Sequence, residues 1–315
     1  MARITIGLPV FNGEKFLRET LDSLLAQTYS DFELLISDNG STDGTKQMCE
    51  EYAAKDRRVK YYREDVNRGA TWNYNRLVGL AHGEYFKWAA HDDLCAPTFL
   101  EKCIAVLDRD STVVLCHTLD VDIDEQGHEV DARRYSHIPS HERGNSPKPY
   151  LRFRRLVRDD YDCEQIFGLI RTDVLRKTKL FLSYTDSDRT LLAEIGLYGR
   201  LFEIQEGLFF HRQHQDSSCK ANPITLGWFQ RAGWFDPALQ GRILFSQWRQ
   251  LYEFITAIFR APLRLVERGW CCFWLMVYYR GRIAGLWKEL SLGVRLKLAR
   301  FLSVHRSAAQ PVSME

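Results

Sequence analysis

An α/β fold is predicted for this chain: a mostly parallel, Rossmann-like sheet with helices on both faces, followed by a C-terminal helical extension. Three observations predict it. Short apolar runs alternate with stretches of helical periodicity through the first half, and repeated βα units of this kind build parallel sheets. The loops that close three of these runs are rich in Asp, Asn and Gly. Beyond Pro223, only helical patterns remain, dense in Trp, Phe and Arg.

The elements follow in order. Ile4 to Val10 is a buried strand, and Gly13 opens a helix with Phe16, Leu17, Leu21, Leu24 and Leu25 at helical spacing, ending near Gln27. Phe32 to Ser37 is a second strand. The cluster Asp38–Gly44 is a loop carrying its own helix cap and leads into a helix through about Ala54. Val59 to Tyr62 is a third strand, followed by a loop with Asn67-Arg68-Gly69 and a helix from about Thr71 to Ala81. Glu84 to Ala89 is a fourth strand ending in Ala90-His91-Asp92-Asp93. Pro97 then sits where a helix begins, and Val113 to Cys116 is a fifth strand. Residues 125–160, interrupted by Pro139, Gly144, Pro147 and Pro149, read as a long loop with a short helix. A strand or turn at Phe167–Ile170, a helix from Thr172, a helix from about Asp186 to Tyr198 and a strand from Leu201 to Ile204 follow. Trp72 and Trp88 read as core residues.

The chain has 315 residues, which at ~100–200 per domain allows one large domain with or without an appendage. Its 45% hydrophobic and 27% charged residues exclude a disordered or fibrous chain. Forty-three Lys+Arg against 41 Asp+Glu leave a net charge of only +2, but the average conceals a division. Residues 240–306 hold twelve Lys/Arg and three Glu, a formal +9, so the preceding part is acidic. The eight cysteines form no C-x-x-C pair and read as reduced core residues. The N-terminus lacks the features of a signal peptide, and the longest apolar run, Trp270 to Tyr279, is half the ~20 residues a spanning helix needs. A cytoplasmic protein is expected.

Ligands of open α/β sheets sit at the carboxyl ends of strands, where Pro9–Glu14, Asp38–Asp43 and His91–Asp93 fall. No G-x-G-x-x-G follows the first strand, and no G-x-x-x-x-G-K-[ST] is present. The loops offer carboxylates instead. Carboxylates repel phosphate unless a hard divalent cation bridges the two, so Asp92-Asp93 suggests a metal–nucleotide complex, although Asp is common in any loop.

Order and spacing are more specific. Leu8-Pro9-Val10-Phe11-Asn12-Gly13-Glu14, then Ser37-Asp38-Asn39-Gly40-Ser41-Thr42-Asp43-Gly44, then Ala90-His91-Asp92-Asp93 with Pro97, resemble the inverting glycosyltransferase family 2. The resemblance is closest over residues 3–107 and extends through Ser218. It implies a GT-A fold over 1–220, with a nucleotide-binding half (1–120), an acceptor-binding half (121–220) and a helical region over 221–315. It implies that Pro9, Phe11 and Glu14 lie beside the base and ribose of a nucleotide. Asp38 is implied to accept a hydrogen bond from a uracil-type base, and Arg68 to lie in a loop touching the nucleotide, though a plain turn explains Asn67-x-Gly69 equally well. Asp92 is implied at the ribose and Asp93 at a Mn2+ or Mg2+ ion; His91 stands where a strict D-x-D has its first carboxylate. For the general base, Asp188 fits the family's frame, with Leu191 three positions on and Gly199 eleven on, and Ser187 in place of the usual Glu. Asp186 and Asp188 fit helix capping as well. Arg212-x-His214-x-x-Ser217 resembles a further family segment, implying Arg212 at the diphosphate and His214 either as a third metal ligand or as a surface histidine.

The implied activity is transfer of a sugar from a nucleotide-diphosphate donor, UDP favoured, to a hydroxyl on a carbohydrate or lipid-linked acceptor, in polysaccharide or glycolipid assembly. A sugar nucleotidyltransferase and a catalytically inactive scaffold are the alternatives; the first lacks its Gly- and Arg-rich phosphate loop. In the tail, Leu251, Phe254, Ile255, Ile258 and Phe259 share a helical face, and Leu292, Leu296, Leu298 and Phe301 suggest another. Basic helices edged by Trp fit an anionic membrane surface, here the inner face of the cell membrane, through residues 240–306. They fit equally a bundle on the catalytic domain or a homo-oligomer interface. Nucleic acid is not an expected partner, because no recognition motif accompanies the charge.

Overall fold

The structure, a computed structural model, describes residues 1–130, 144–159, 163–215, 232–242 and 244–308, with side chains described through 295. One eight-stranded sheet forms its centre. The strands are β1 (Ile4–Val10), β2 (Phe32–Asp38), β3 (Val59–Arg63), β4 (Tyr85–Trp88), β5 (Leu94–Cys95), β6 (Val113–Ile123), β7 (Leu169–Arg171) and β8 (Arg200–Arg212), in the order β3-β2-β1-β4-β7-β6-β8-β5. The first four run parallel. β7 is antiparallel to both β4 and β6, and β5 is antiparallel to β8, while β6 and β8 are parallel. Beyond β4, one short antiparallel strand, β7, joins the N-terminal parallel strands to the long parallel β6–β8 pair, and β5 closes the far edge.

Helices α1 (Leu17–Leu25), α2 (Thr45–Lys55) and α4 (Phe99–Arg109) cover one face. Their apolar positions meet β1 and β2 in a core containing Leu17, Leu21, Cys49, Leu100, Cys103 and Ile104. On the other face lie α3 (Ala70–Leu80), α5 (Pro149–Arg158) and α7 (Ser187–Tyr198), with the single turn α6 (Thr172–Leu175). Leu77, Phe86, Trp88, Phe153, Leu156 and Leu192 form that second core. The strand predicted over Leu201–Ile204 is much longer in the fold, because its pairing with β6 continues to Ile123↔Arg212.

The C-terminal helices are α8 (Ala232–Phe235), α9 (Ser246–Arg260), α10 (Leu265–Arg280) and α11 (Ile283–Ala308). The second core runs directly into them through Phe254, Ala257, Ile258, Cys271, Leu275 and Tyr279. The five-residue face predicted for α9 is divided: Phe254 and Ile258 are buried, whereas Ile255 and Phe259 are exposed. The second face predicted in the tail lies largely outside the described side chains, since of its members only Leu292 is described. Every cysteine among the described residues is free, and Cys272 alone of these is not buried. Among the described residues no helix is long and apolar enough to cross a membrane.

Candidate functional site

The first two loops interlock. After β1, Asn12 takes a left-handed conformation (φ 54°), which Asn tolerates better than most residues. Its N–H donates to Ser41 Oγ at 2.9 Å, and its Oδ1 accepts from the Thr42 N–H at 2.8 Å. The Gly13 N–H donates to Thr45 Oγ1 at 2.9 Å. Glu14 then reaches the start of α2, where its carboxylate accepts the Gly44 N–H at 2.9 Å. An anion suits that end of a helix, so Glu14 locks the loop pair in this structure. Pro9 is buried within β1, while Phe11 stands at the rim with 41% of its surface exposed.

Asp38 ends β2, where the register sets it opposite Arg63 of β3. Its side chain is fully enclosed. Oδ1 accepts the Ser41 N–H at 2.8 Å, and Oδ2 accepts from Tyr61 Oη and Arg63 Nη1, each at 2.7 Å. A base reaching Asp38 must therefore share Oδ1 with the Ser41 N–H, share Oδ2 with Tyr61 and Arg63, or displace one of them. Gly40 completes this loop at φ +80°, where a Cβ would lie 2.9 Å from the Val66 backbone, so both conformation and space call for glycine.

Asp92 and Asp93 follow β4 and precede β5, whose pairing Leu94↔Phe210 carries them to the carboxyl end of β8. His214 Nε2 lies 2.9 Å from Asp92 Oδ2. The His214 ring is buried against Phe16, centroid to centroid 4.7 Å, and its Nδ1 has no hydrogen-bond partner among the described residues. The surface-histidine reading is thus set aside. Asp93, assigned to the ion on sequence grounds, turns inward: Oδ1 accepts the backbone N–H of Arg212 at 3.0 Å. It is Asp92 that meets His214. Burial opposes ionisation of Asp92, yet His91 and the hydrogen bond with His214 outweigh it and hold its carboxyl down at about 2. Asp93 meets burial and the neighbouring Asp92 charge, which push it up to about 7.

Arg212 requires the plainest correction. Its side chain has no exposed surface. Nε donates to the Asp92 carbonyl at 2.9 Å, Nη1 to the carbonyls of Glu125 (2.9 Å) and Asp124 (3.3 Å), and Nη2 to Glu19 Oε2 at 2.6 Å. Four of the five donors of the guanidinium are used within the protein. Arg212 clamps the Asp92-Asp93 loop to the end of β6, with its guanidinium committed to acceptors within the protein. Ser217, the last member of its segment, lies outside the described residues.

Asp188 lies in the first turn of α7. Of the two residues for which capping was the alternative, Asp186, at the N-cap position, makes no side-chain cap. Asp188 Oδ1 accepts the Arg189 N–H at 2.7 Å. Burial, reinforced by the Asp186 charge, raises its carboxyl to about 6 despite that hydrogen bond. Tyr74, on α3, ties the halves together. Burial first, then the charges of Asp92, Asp93, Glu164 and Asp188, push its phenol upward, so carboxylates from three segments act on one ring. Tyr74 and Glu164 escaped sequence reasoning, because neither sits in a recognisable motif and Glu164 follows a loop with no periodic signal.

A cleft of ≈ 550 Å3 opens beside the Asp38 loop. Arg68, Trp72, Arg76, Ser183 and Phe235 are among its walls. Arg68 and Arg76 both lie over the Trp72 ring, at 4.8 and 5.0 Å, and both pair with Glu64 at 3.0 Å. Trp88 is core as expected, but Trp72 is half-buried and lines this cleft. Of the residues expected at the nucleotide only Arg68 lines it.

The order of strands, the carboxylate loops at their carboxyl ends and the His214–Asp92 pair are accompanied by a direct match. The model of the family "Glycosyl transferase family 2" matches residues 5–179, more than half of the chain. This chain belongs to glycosyl transferase family 2. An uncharacterised glycosyltransferase of Rickettsia typhi is 36% identical over 116 residues, covering 36% of this chain and 35% of that protein. The chain thus spans about a third of that relative's length. EpsE of Bacillus subtilis, named as a glycosyltransferase, is 27% identical over 223 residues, 68% of this chain and 74% of EpsE. Among solved structures, S. aureus TarS 1-349 in complex with UDP-GlcNAc has a TM-score of 0.64 at 18% identity, covering 88% of this chain and 73% of that one. A mannosyltransferase from Pyrobaculum calidifontis in complex with GDP-Man and Mn2+ has a TM-score of 0.53 at 16% identity, covering 93% and 87%. These likenesses establish the GT-A fold for this family member.

Proposed function

We propose that this family 2 member transfers a sugar from a nucleotide-diphosphate donor, UDP favoured, to an acceptor hydroxyl with inversion at the anomeric carbon. The observation that carries the reading is the buried Asp92–His214 pair, 2.9 Å between Oδ2 and Nε2, in the loops at the carboxyl ends of the strands of a family 2 chain. The chemistry is a single displacement. The acceptor oxygen attacks the anomeric carbon as the bond from that carbon to the diphosphate oxygen breaks. Asp188 takes the hydroxyl proton, and the bonding pair leaves with the nucleotide diphosphate. A carboxyl raised to about 6 is a stronger base than an ordinary Asp and is still ionised at neutral pH. Phe11, exposed at the rim, and Arg68, beside Trp72, offer surfaces for the nucleotide.

The donor set fits a divalent cation. Asp92 Oδ2 and His214 Nε2, 2.9 Å apart, are spaced as two ligands of one ion. Among the described residues no group of three His, Cys, Asp or Glu could hold a metal, so the remaining ligands would come from diphosphate and water, the usual habit of Mg2+ and Mn2+. A nitrogen donor favours Mn2+ over Mg2+. Such an ion, when bound, neutralises charge developing on the leaving diphosphate. The acceptor class we favour is a carbohydrate or lipid-linked saccharide, in polysaccharide or glycolipid assembly; the exposed basic C-terminal face supports it.

Thermal melting with UDP, GDP and their sugars, with and without Mn2+, tests the reading. Stabilisation by a UDP compound that requires Mn2+ is the expected result. Indifference to every nucleotide overturns it and leaves the inactive scaffold.

A further inference from the structure

We propose that the outward face of α9–α11 is a docking surface for an anionic lipid bilayer. Helical phase is the first support. On α10, Val266, Trp270, Phe273 and Val277 recur at intervals of four, three and four and expose 72, 45, 41 and 42% of their surface. The opposite face, Cys271, Leu275 and Tyr279, is buried in the second core. A helix on a water-facing protein surface presents polar residues outward, and α10 reverses that. On α9, Trp248, Tyr252, Ile255 and Phe259 repeat the pattern, all exposed, and α11 opens with exposed Ile283 and Trp287.

Charge decides the occupant. From 246 to 295 the exposed charged side chains are Arg249, Arg264, Arg280, Arg282, Lys288 and Arg295, all cationic. The three acids are withdrawn from that surface. Glu253 is buried between Lys179 and Arg249, and Glu289 is buried against the Gln247 and Trp248 N–H groups. Glu267 accepts the Arg264 N–H in the α10 cap. A second copy of this chain would set like charges opposite one another, whereas anionic headgroups supply the counter-charge and acyl chains receive the apolar stripe. Among the described residues no helix is long and apolar enough to span, so the contact proposed for these helices lies in the plane of the membrane.

The full chain, mixed with vesicles of phosphatidylcholine alone or with about a third phosphatidylglycerol, tests this by sedimentation. Binding is expected to the anionic vesicles only, weakening as salt is raised. Arg282→Gln with Lys288→Gln should lower the partition coefficient about 30-fold, ~2 kcal/mol at ~1 kcal/mol per charge. Leu265→Ser with Val266→Ser should also lower it while leaving the melting temperature unchanged, since these residues expose 82 and 72% of their surface. The salt response of the unaltered chain tests the proposal even where a variant fails to fold. No binding, equal binding to both compositions, or a solution dimer that Trp270→Ser dissociates would overturn it.

Discussion

Asp188 combines two properties that a single substitution separates. A carboxylate held at about 6 is ionised at neutral pH at a cost to folding, because burial favours its protonated form. Asp188→Asn should abolish turnover, at least 10²-fold for a general base, and leave nucleotide-induced melting shifts intact. The same variant should melt higher than the parent above pH 6, by up to about 3 kcal/mol for a displacement of roughly two pKa units. The sign follows from the raised value: the folded state keeps its proton longer, so the parent loses stability as pH climbs from about 4 to 6. The difference between parent and variant must therefore vanish below about pH 4. For the active parent, kcat/KM should rise with pH through an acid limb near 6 and level above it. A pH-independent rate between 5 and 7 would exclude Asp188 as the base.

Arg212 poses the complementary case. Arg212→Met leaves the carbonyls of Asp92 and Glu125 without their donors, and should cost about 2–4 kcal/mol in chemical denaturation. Had its role been at the diphosphate, the variant would raise the donor KM with an unchanged melting temperature. The two residues show why motif spacing is an incomplete guide. Arg212 and His214 are two apart on an extended strand end, yet one is enclosed by backbone carbonyls and the other faces Asp92. Nothing local in the segment records which partner β6 or α1 brings.

At the scale of elements, the N-terminal strands and helices were legible because each carries a strong local signal. β1 and β2 are continuous apolar runs, and α1 and α4 each put one apolar stripe against them. The βα loops likewise carry their turn residues in plain view. Gly40→Ala is expected to cost about 1–3 kcal/mol, from the left-handed backbone and the approach to Val66, read as a shift of the denaturation midpoint. What was missed were β5 and the full lengths of β6 and β8, whereas β7 overlaps the strand or turn expected at Phe167–Ile170. β5 has two residues, too few for periodicity to register. The end of β8 contains His and Arg, which local propensity does not mark as strand, and only the ladder with β6 makes it one.

At the scale of the molecule, the basic C-terminal helices are part of the catalytic half's core. Phe254 meets Phe153 edge to face, with ring centroids 5.8 Å apart. Phe254→Ala should therefore cost about 3–5 kcal/mol despite lying far from every catalytic motif. A chain ending before α9 would expose Phe153, Leu156 and Leu191, and is expected to aggregate rather than behave as a free-standing transferase. Soluble expression of such a truncation with nucleotide binding retained would show that the two parts fold independently.

The sequence by itself determined the family, the alternation of strand and helix and the loops that hold the carboxylates, because these depend on residues near one another in the chain. It also carried the charge division between front and tail. Only the tertiary structure decided which carboxylate meets His214, that Arg212 is a clamp, that Tyr74 and Glu164 join the acidic cluster, and which side of the tail is buried. Those outcomes depend on contacts between residues tens to more than a hundred positions apart. The register of β6 with β8, and the packing of α9 and α10 on α5 and α7, bring these residues together.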